Sequence, residues 1–314
     1  MPVSRLTLVG ACAVCALLVV VAPTTAASTG LKVLVTGNCG GDPAKMATAI
    51  QGQSGIASAT PFDTSATTPS LAQMEHFGLV VSLGDCTYAD AETFGDNLAD
   101  YVDDGGVVLQ VAYDNWNGNV SDPNPSPMGR FAGDGYAPLD LGPNANSSTT
   151  LGQLLKPNSP LLKGLGTFPT SHNTTTPLAA GATLLAKWAD GRNAIAVKGR
   201  VVATSAATED QALPDLARLA RNTGIYFNYV PSTRITRAVI GQAAHTATFR
   251  YKGTGFTNGF VCGLARPGSK GSFKGCPAHK TYKNLKPGTY LFEVAAVGPG
   301  GADRTPAKKT FTIG

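Results

Sequence analysis

Side chains that could bind a ligand follow the predicted strands at several points in the first half of the chain. Asn38 and Asp85 each come shortly after a buried strand, and Asp114, Asn115 and Trp116 follow another. The carboxyl ends of parallel strands share one edge of an open α/β sheet, where such sheets bind ligands. An aromatic ring among amides and carboxylates suits stacking on a sugar and hydrogen bonds to its hydroxyls. The alternative is that Trp116 only anchors its loop to the domain.

Two cysteines follow the same strand ends. Cys39 comes after the apolar run 31–36, and Cys86 comes after the run 77–83. If these runs are neighbours in a doubly wound sheet of order 2-1-3, a Cys39–Cys86 disulfide is sterically reasonable. The alternative is a reactive thiol in the ligand crevice. Two arguments disfavour a reactive thiol. The neighbouring acid Asp85 would raise the pKa of the thiol, and thiols outside the cell tend to oxidise.

The amino-terminal residues have the pattern of a secretory signal. Arg5 precedes an apolar run of 17 residues, Leu6–Ala22, and the small residues Ala26 and Ala27 offer a cleavage site. A membrane span needs roughly 20 residues, so cleavage is favoured over an uncleaved anchor. We therefore predict a signal peptide at residues 1–27, an extracellular or cell-surface location, and no membrane span after cleavage.

Charge and motif content exclude several classes of function. The formal net charge is +5, and no dense Lys/Arg block concentrates it, which argues against a nucleic-acid partner. The segment 37–42 follows a strand and precedes a helix, but its glycine spacing does not fit a dinucleotide fingerprint. No His/Cys cluster has the spacing of metal ligands. The sequence predicts neither a metal site nor a cofactor.

Strands and helices alternate over residues 28–230, which we take as the first domain after the signal. The pattern predicts strands at 31–36, 56–62, 77–83 and 107–111, and helices at 42–51 and 90–102. Such βαβ alternation predicts an α/β fold with a doubly wound, mostly parallel sheet covered on both faces.

This region resembles the class I glutamine amidotransferase-like superfamily. The resemblance is carried by segments 32–35, 77–82 and 101–108, and further along by 159–164, 178–188 and 199–203. The enzymes of that family place a nucleophilic cysteine on a strained turn after the fourth strand. Ala112 stands near that position here. The four histidines, one of them His172 in a Ser/Thr/Asn loop, supply no recognisable triad, so the resemblance implies the fold without the chemistry and no catalytic residue.

Period-2 segments take over after Pro231, and residues 231–314 form the second predicted domain. Short strands separated by Gly- and Pro-rich turns predict an antiparallel sandwich. The runs 260–264, 276–277, 281–296 and 306–313 resemble bacterial immunoglobulin-like domains of surface proteins. That resemblance implies a β-sandwich in which Cys262 and Cys276 form a disulfide.

The sequence therefore predicts an exported, non-catalytic binding or structural protein. Its expected partner is a cell-surface glycan or protein. The alternative is a divergent extracellular hydrolase whose nucleophile stands outside the family position, for instance Ser82 or a reduced Cys39.

Overall fold

A computed structural model of the chain describes residues 30–38, 42–119, 125–269 and 271–314. The predicted signal peptide at 1–27 and Cys39 lie outside the described residues. Among the helices that are described, none is long and apolar enough to cross a membrane.

The first part of the chain forms one eight-stranded sheet. Its strands are β1 (Leu31–Gly37), β2 (Ile56–Asp63), β3 (Leu79–Leu83), β4 (Val108–Ala112), β5 (Leu151–Leu154), β6 (Thr183–Trp188), β7 (Asn193–Lys198) and β8 (Val201–Ala207). The spatial order is β2-β1-β3-β4-β8-β7-β6-β5, which contains the predicted 2-1-3 arrangement.

This sheet is mixed, with four parallel and three antiparallel strand pairs, so the prediction of a mostly parallel sheet is confirmed only in part. The pairs that link β2, β1, β3, β4 and β8 are parallel, whereas β8, β7, β6 and β5 pair antiparallel. Only two residues, Gly199 and Arg200, connect β7 to β8. So short a connection can join only antiparallel neighbours.

Helices cover both faces of the sheet. They are α1 (Asp42–Gln51), α2 (Leu71–Met74), α3 (Ala91–Asp103), α4 (Gly129–Gly133) and α5 (Leu213–Asn228), with a 3-10 turn at Pro160–Leu162. Met46 and Leu216 join the core on one face of the sheet, and Phe94 and Phe131 join the core on the other. Strands buried on both faces explain why β1, β3 and β4 read as continuous apolar runs.

Local signals fix the ends of α3. The Asp90 carboxylate accepts a hydrogen bond of 2.9 Å from the backbone N–H of Thr93, which caps the first turn. After the helix, Gly105 has φ of +89°, a conformation that glycine adopts without a steric penalty. The chain then turns directly into β4.

The remaining strands form two antiparallel sheets. They are β9 (Thr233–Gly241), β10 (Thr246–Gly253), β11 (Gly259–Ala265), β12 (Lys274–Cys276), β13 (His279–Tyr282), β14 (Gly288–Gly298), β15 (Gly301–Ala302) and β16 (Ala307–Ile313). One sheet has the order β13-β10-β9, and the other has the order β12-β11-β14-β15 with β16 also paired to β14. These strands agree with the predicted antiparallel sandwich.

Aromatic rings fill the space between the two antiparallel sheets. Phe249 of β10 and Phe292 of β14 stack with ring centroids 4.0 Å apart, and both are fully buried. Cys262 and Cys276 form a disulfide, which confirms that part of the prediction. It joins β11 to β12 across 14 residues of sequence.

Arg200 joins the α/β unit (residues 30–228) to the sandwich (residues 233–313). Its guanidinium donates to the carbonyl of Gly106 at 3.2 Å, to that of Phe227 at 3.2 Å and to that of Pro299 at 2.8 Å. Phe256 of the sandwich adds an edge contact with Tyr226 of α5, with ring centroids 5.2 Å apart. The predicted boundary at residues 230 and 231 falls between α5 and β9.

Candidate functional site

The carboxyl ends of β1 and β3 are tied together by Asn38. Its side-chain oxygen accepts hydrogen bonds from the backbone N–H groups of Asp85 at 2.9 Å and Cys86 at 3.0 Å, and its amide donates to the Cys86 carbonyl. Asn38 is only 2% exposed. The structure thus brings Asn38 and Asp85 to one edge, as predicted, but it directs the Asn38 side chain inward.

Asp114 is a fully buried acid behind the same edge. The Tyr88 hydroxyl donates to its carboxylate and also approaches the carbonyl of Leu83 at 3.2 Å. Burial raises the pKa of Asp114 to about 7, although hydrogen bonds with Ser82 and Tyr88 act in the opposite direction. Its other oxygen, Oδ2, has no hydrogen-bond partner among the described residues. Asp114 is therefore protonated over part of the physiological pH range.

Asn115 and Trp116 also face the interior. The Asn115 amide donates to the carbonyl of Thr204 at 3.0 Å, and its oxygen accepts from the Thr174 hydroxyl at 2.6 Å. Trp116 is 8% exposed and packs against Tyr113, with ring centroids 5.5 Å apart. This placement matches the alternative in which Trp116 anchors its loop, and a ligand-binding role for these side chains stays a prediction.

Ala112 and Tyr113 lie at the end of β4, where the sequence resemblance would imply a nucleophile. Ala112 ends β4 and is 1% exposed, and Tyr113 is 5% exposed, with a cis peptide bond between them. The Tyr113 hydroxyl donates to the side-chain oxygen of Asn146 at 2.5 Å. Burial raises the pKa of Tyr113, and the negative charges of Asp85 and Glu209 raise it further. Tyr113 therefore lies in a negative field at the edge of the sheet.

The structure describes two of the residues offered as nucleophiles or reactive thiols, Ser82 and Cys86. Ser82 is fully buried, and its hydroxyl lies 3.5 Å from that of Tyr88. Cys86 is disulfide-bonded. Cys39, the other candidate, lies outside the described residues.

A hydrogen-bonded cluster around Glu209 was missed by the sequence analysis. One carboxylate oxygen accepts from the backbone N–H groups of Ser171 at 2.8 Å and His172 at 2.6 Å, and the other accepts from the Ser171 hydroxyl at 2.6 Å. Partial burial opposes ionisation, but these hydrogen bonds lower the pKa of Glu209 to about 2. Glu209 comes shortly after the buried strand β8. The strand-end rule that selected Asp85 would also have found it.

This cluster contains the residue types of a hydrolytic triad without its geometry. The same ring nitrogen of His172, Nδ1, lies 3.4 Å from the Glu209 carboxylate and 3.3 Å from the Ser171 hydroxyl. A proton relay needs the carboxylate at one ring nitrogen and the nucleophile at the other. In addition, the Ser171 hydroxyl donates directly to Glu209. The arrangement anchors the 170–172 loop over the end of β8.

The edge therefore has a buried layer and a rim whose side chains are partly or fully exposed. Asn38, Tyr88, Asp114 and Asn115 form the buried layer, and the rim consists of Asp85, Asn144, Asn146, Ser171, His172 and Glu209 around Tyr113. Within the described ranges, no group of three or more His, Cys, Asp or Glu side chains could hold a metal ion.

Comparisons with known proteins find resemblance of fold only. No family model and no curated protein matches the chain. A cytoplasmic protein from Salmonella typhimurium LT2 is 13% identical over 62% of this chain and 98% of its own, with a TM-score of 0.48. A glutamine amidotransferase from Thermotoga maritima is 14% identical over 62% of this chain and 96% of its own, with a TM-score of 0.43. A human fibronectin type III domain is 18% identical over 27% of this chain and 78% of its own, with a TM-score of 0.23.

The predicted location requires correction. The Salmonella neighbours are named cytoplasmic proteins, which contradicts the prediction of an extracellular or cell-surface location. The pattern on which that prediction depended lies in residues 1–27, outside the described residues. The prediction is withdrawn.

Proposed function

We propose that the α/β unit is a non-catalytic binding module whose ligand lies on the rim around Tyr113. One observation carries this proposal. The position at which the amidotransferase family holds its nucleophile contains a buried alanine followed by a buried tyrosine. Neither side chain can act as a thiolate, and the acid behind them, Asp114, has no solvent exposure.

The chemistry of the rim favours a neutral ligand rich in hydroxyl groups. Asp85, Asn144 and Asn146 are exposed and provide carboxylate and amide groups that accept and donate hydrogen bonds. An anionic ligand would meet the negative charges of Asp85 and Glu209, which both act on Tyr113. A neutral saccharide has hydroxyl groups for these hydrogen bonds and carries no charge that Asp85 and Glu209 would repel.

A saccharide panel tests the proposal. We expect neutral oligosaccharides to raise the thermal midpoint of the α/β unit and to shift the fluorescence of Trp116. The double variant Asn144→Ala/Asn146→Ala should abolish the response, because it removes two amides of the rim. Asn158→Ala, which removes an exposed amide from the loop before the 3-10 turn, should respond like the wild type.

Two outcomes would count against this function. The first is an unchanged saccharide response in Asn144→Ala/Asn146→Ala, which would place the ligand elsewhere. The second is turnover of ester or amide probes by the wild type that is lost in Ser171→Ala. That result would support the divergent hydrolase instead.

A further inference from the structure

The two parts of the chain carry opposite charge. Residues 28–230 contain 11 Lys and Arg against 18 Asp and Glu, a formal net charge of −7. Residues 231–314 contain 13 Lys and Arg against 2 acids, a formal net charge of +11. The modest total of +5 conceals this split. Positive charge is therefore concentrated in the sandwich, although no dense Lys/Arg block marks it in the sequence.

Part of this charge lies on one exposed sheet face. In β10, Phe249 and Tyr251 point into the core, so Arg250 and Lys252 point to the opposite side. Arg250 pairs with Arg237 of β9 and with His279 of β13, and Lys252 pairs with Arg234. We call this surface the basic face; it consists of Arg234, Arg237, Arg250, Lys252 and His279.

The basic face is not neutralised within the sandwich. β9, β10 and β13 contain no acidic residue, and none of the four Arg and Lys side chains forms a salt bridge to a described residue. Of the two acids in the sandwich, Glu293 pairs with Lys308 at 2.8 Å, and Asp303 accepts from the backbone of Thr233 at 2.6 Å. Like charges on directly opposed strand positions are destabilising. An anionic partner would remove that repulsion.

Hydroxyl groups adjoin the charged rows. The next exposed pairs along the strands are Thr248 with Val239 and Thr248 with Thr281, and the two threonine hydroxyls lie 3.0 Å apart. Positions two residues apart along a strand are separated by about 6.8 Å. Along the strands, the surface therefore presents two rows of cations and then a row that holds two hydroxyl groups and the exposed Val239.

The form of the surface argues against recognition of a nucleic acid. The aromatic side chains of β10 and β13, Phe249, Tyr251 and Tyr282, belong to the core and its edge, so the basic face offers no platform for stacking bases. A linear partner would be recognised only through its charged groups and hydroxyls.

We propose that the basic face binds a linear acidic polysaccharide. The sulfate or carboxylate groups of the polymer accept hydrogen bonds from Arg234, Arg237, Arg250 and Lys252, while its sugar hydroxyls meet Thr248 and Thr281. The net charge of −7 on the α/β unit repels the polymer and confines it to the sandwich. This surface is separate from the rim around Tyr113, so either site can fail without the other.

Binding to immobilised heparin at low salt tests the proposal on the full chain. We expect the Kd to rise by at least about tenfold in Arg237→Glu/Arg250→Glu, because each reversal replaces an attraction with a repulsion. Affinity should also fall steeply as salt is added. The milder pair Arg237→Gln/Arg250→Gln keeps the length of the side chains and should give a smaller loss. That pair also controls for misfolding.

The matched control is Lys274→Glu/Lys309→Glu. It makes the same change in net charge on exposed lysines of the other sheet, and we expect it to retain most of the heparin affinity. Equal losses in the two double variants would show that net charge alone is responsible and would overturn the proposal. So would tighter binding to single-stranded or duplex DNA, or to vesicles of anionic lipid, than to heparin.

Discussion

The α/β unit and the sandwich differ in where they keep their charged groups. The α/β unit directs polar side chains inward at the carboxyl edge of its parallel strands. Asp114 and Asn115 there are fully buried. In the sandwich the core between the sheets is mainly aromatic and aliphatic, and cations such as Arg237 and Arg250 lie on an outer face. One unit buries an acid, and the other exposes bases.

Buried and exposed charged groups contribute to different free energies, one to folding and the other to binding. A buried carboxyl such as Asp114 affects folding, because its ionisation opposes burial. An exposed cation such as Arg250 has little effect on folding, but it is available to a partner. Charge in the α/β unit should therefore be detected in stability measurements, and charge in the sandwich in binding measurements.

Core truncations should give the largest effect and should show whether the two units unfold separately. We expect Phe292→Ala to destabilise the sandwich by about 3–5 kcal/mol and Leu109→Ala to destabilise the α/β unit by about 2–5 kcal/mol. Both tryptophans, Trp116 and Trp188, lie in the α/β unit. Tryptophan fluorescence should therefore shift in Leu109→Ala alone, while calorimetry detects both transitions.

A control and a contrary outcome accompany this pair. Phe273 is 39% exposed, and Phe273→Ala should change neither transition by more than about 0.5 kcal/mol. If Phe292→Ala lowers the midpoint of the fluorescence transition as much as Leu109→Ala does, the two units unfold as one. Their stabilities could then not be compared separately.

The buried acid should make the stability of the α/β unit depend on pH. The folded pKa of Asp114, about 7, lies above its ordinary value of 3.8, so the folded state binds the proton more tightly. The free energy of unfolding should fall as pH rises from about 4 to 7, by up to about 4 kcal/mol, and then level off. Asp114→Asn should remove this slope, as measured by fluorescence-monitored urea unfolding at several pH values.

The sandwich should respond to pH in the opposite direction. Partial burial opposes ionisation of Asp303, but hydrogen bonds with Thr233 and Thr305 lower its pKa. Its stabilising contribution is present above pH 4 and is lost as pH falls through the folded pKa.

Asp140→Asn, at an exposed position of the α/β unit, is the control for Asp114→Asn. A pH slope that persists in Asp114→Asn would exclude that carboxyl as its source.

The sequence predicts the parallel part of the fold well because its signals there are local. The helix α1 at Asp42–Gln51 has the predicted bounds, and β1 and β3 are the predicted apolar runs in the predicted order. The antiparallel part was missed for a physical reason. Its outer strand, β5, has four residues, of which three are exposed, so it shows no regular alternation.

The candidate site was located from the sequence, but the direction of its side chains was not. Asp114 and Asn115 follow β4 as predicted. Asn115, however, is held inward by Thr174 and Thr204, which are 59 and 89 residues away along the chain. Contacts at that separation leave no periodic signal. The opposite charges of the two units could have been counted from the sequence, but they were concealed by the overall charge of +5.

The contact between the two units should give the smallest effect. Arg200→Ala removes hydrogen bonds to Gly106, Phe227 and Pro299, and we expect a loss of about 2 kcal/mol. Protease cleavage near residues 229–232 should become faster, because the hydrogen bond from Arg200 to Pro299 of the sandwich would be lost. Arg234→Ala, in which an exposed arginine of the basic face is removed, should leave both stability and cleavage unchanged. If Arg200→Ala changes stability without changing cleavage, Arg200 supports only the α/β unit through Gly106 and Phe227. Its bond to the sandwich would then be incidental.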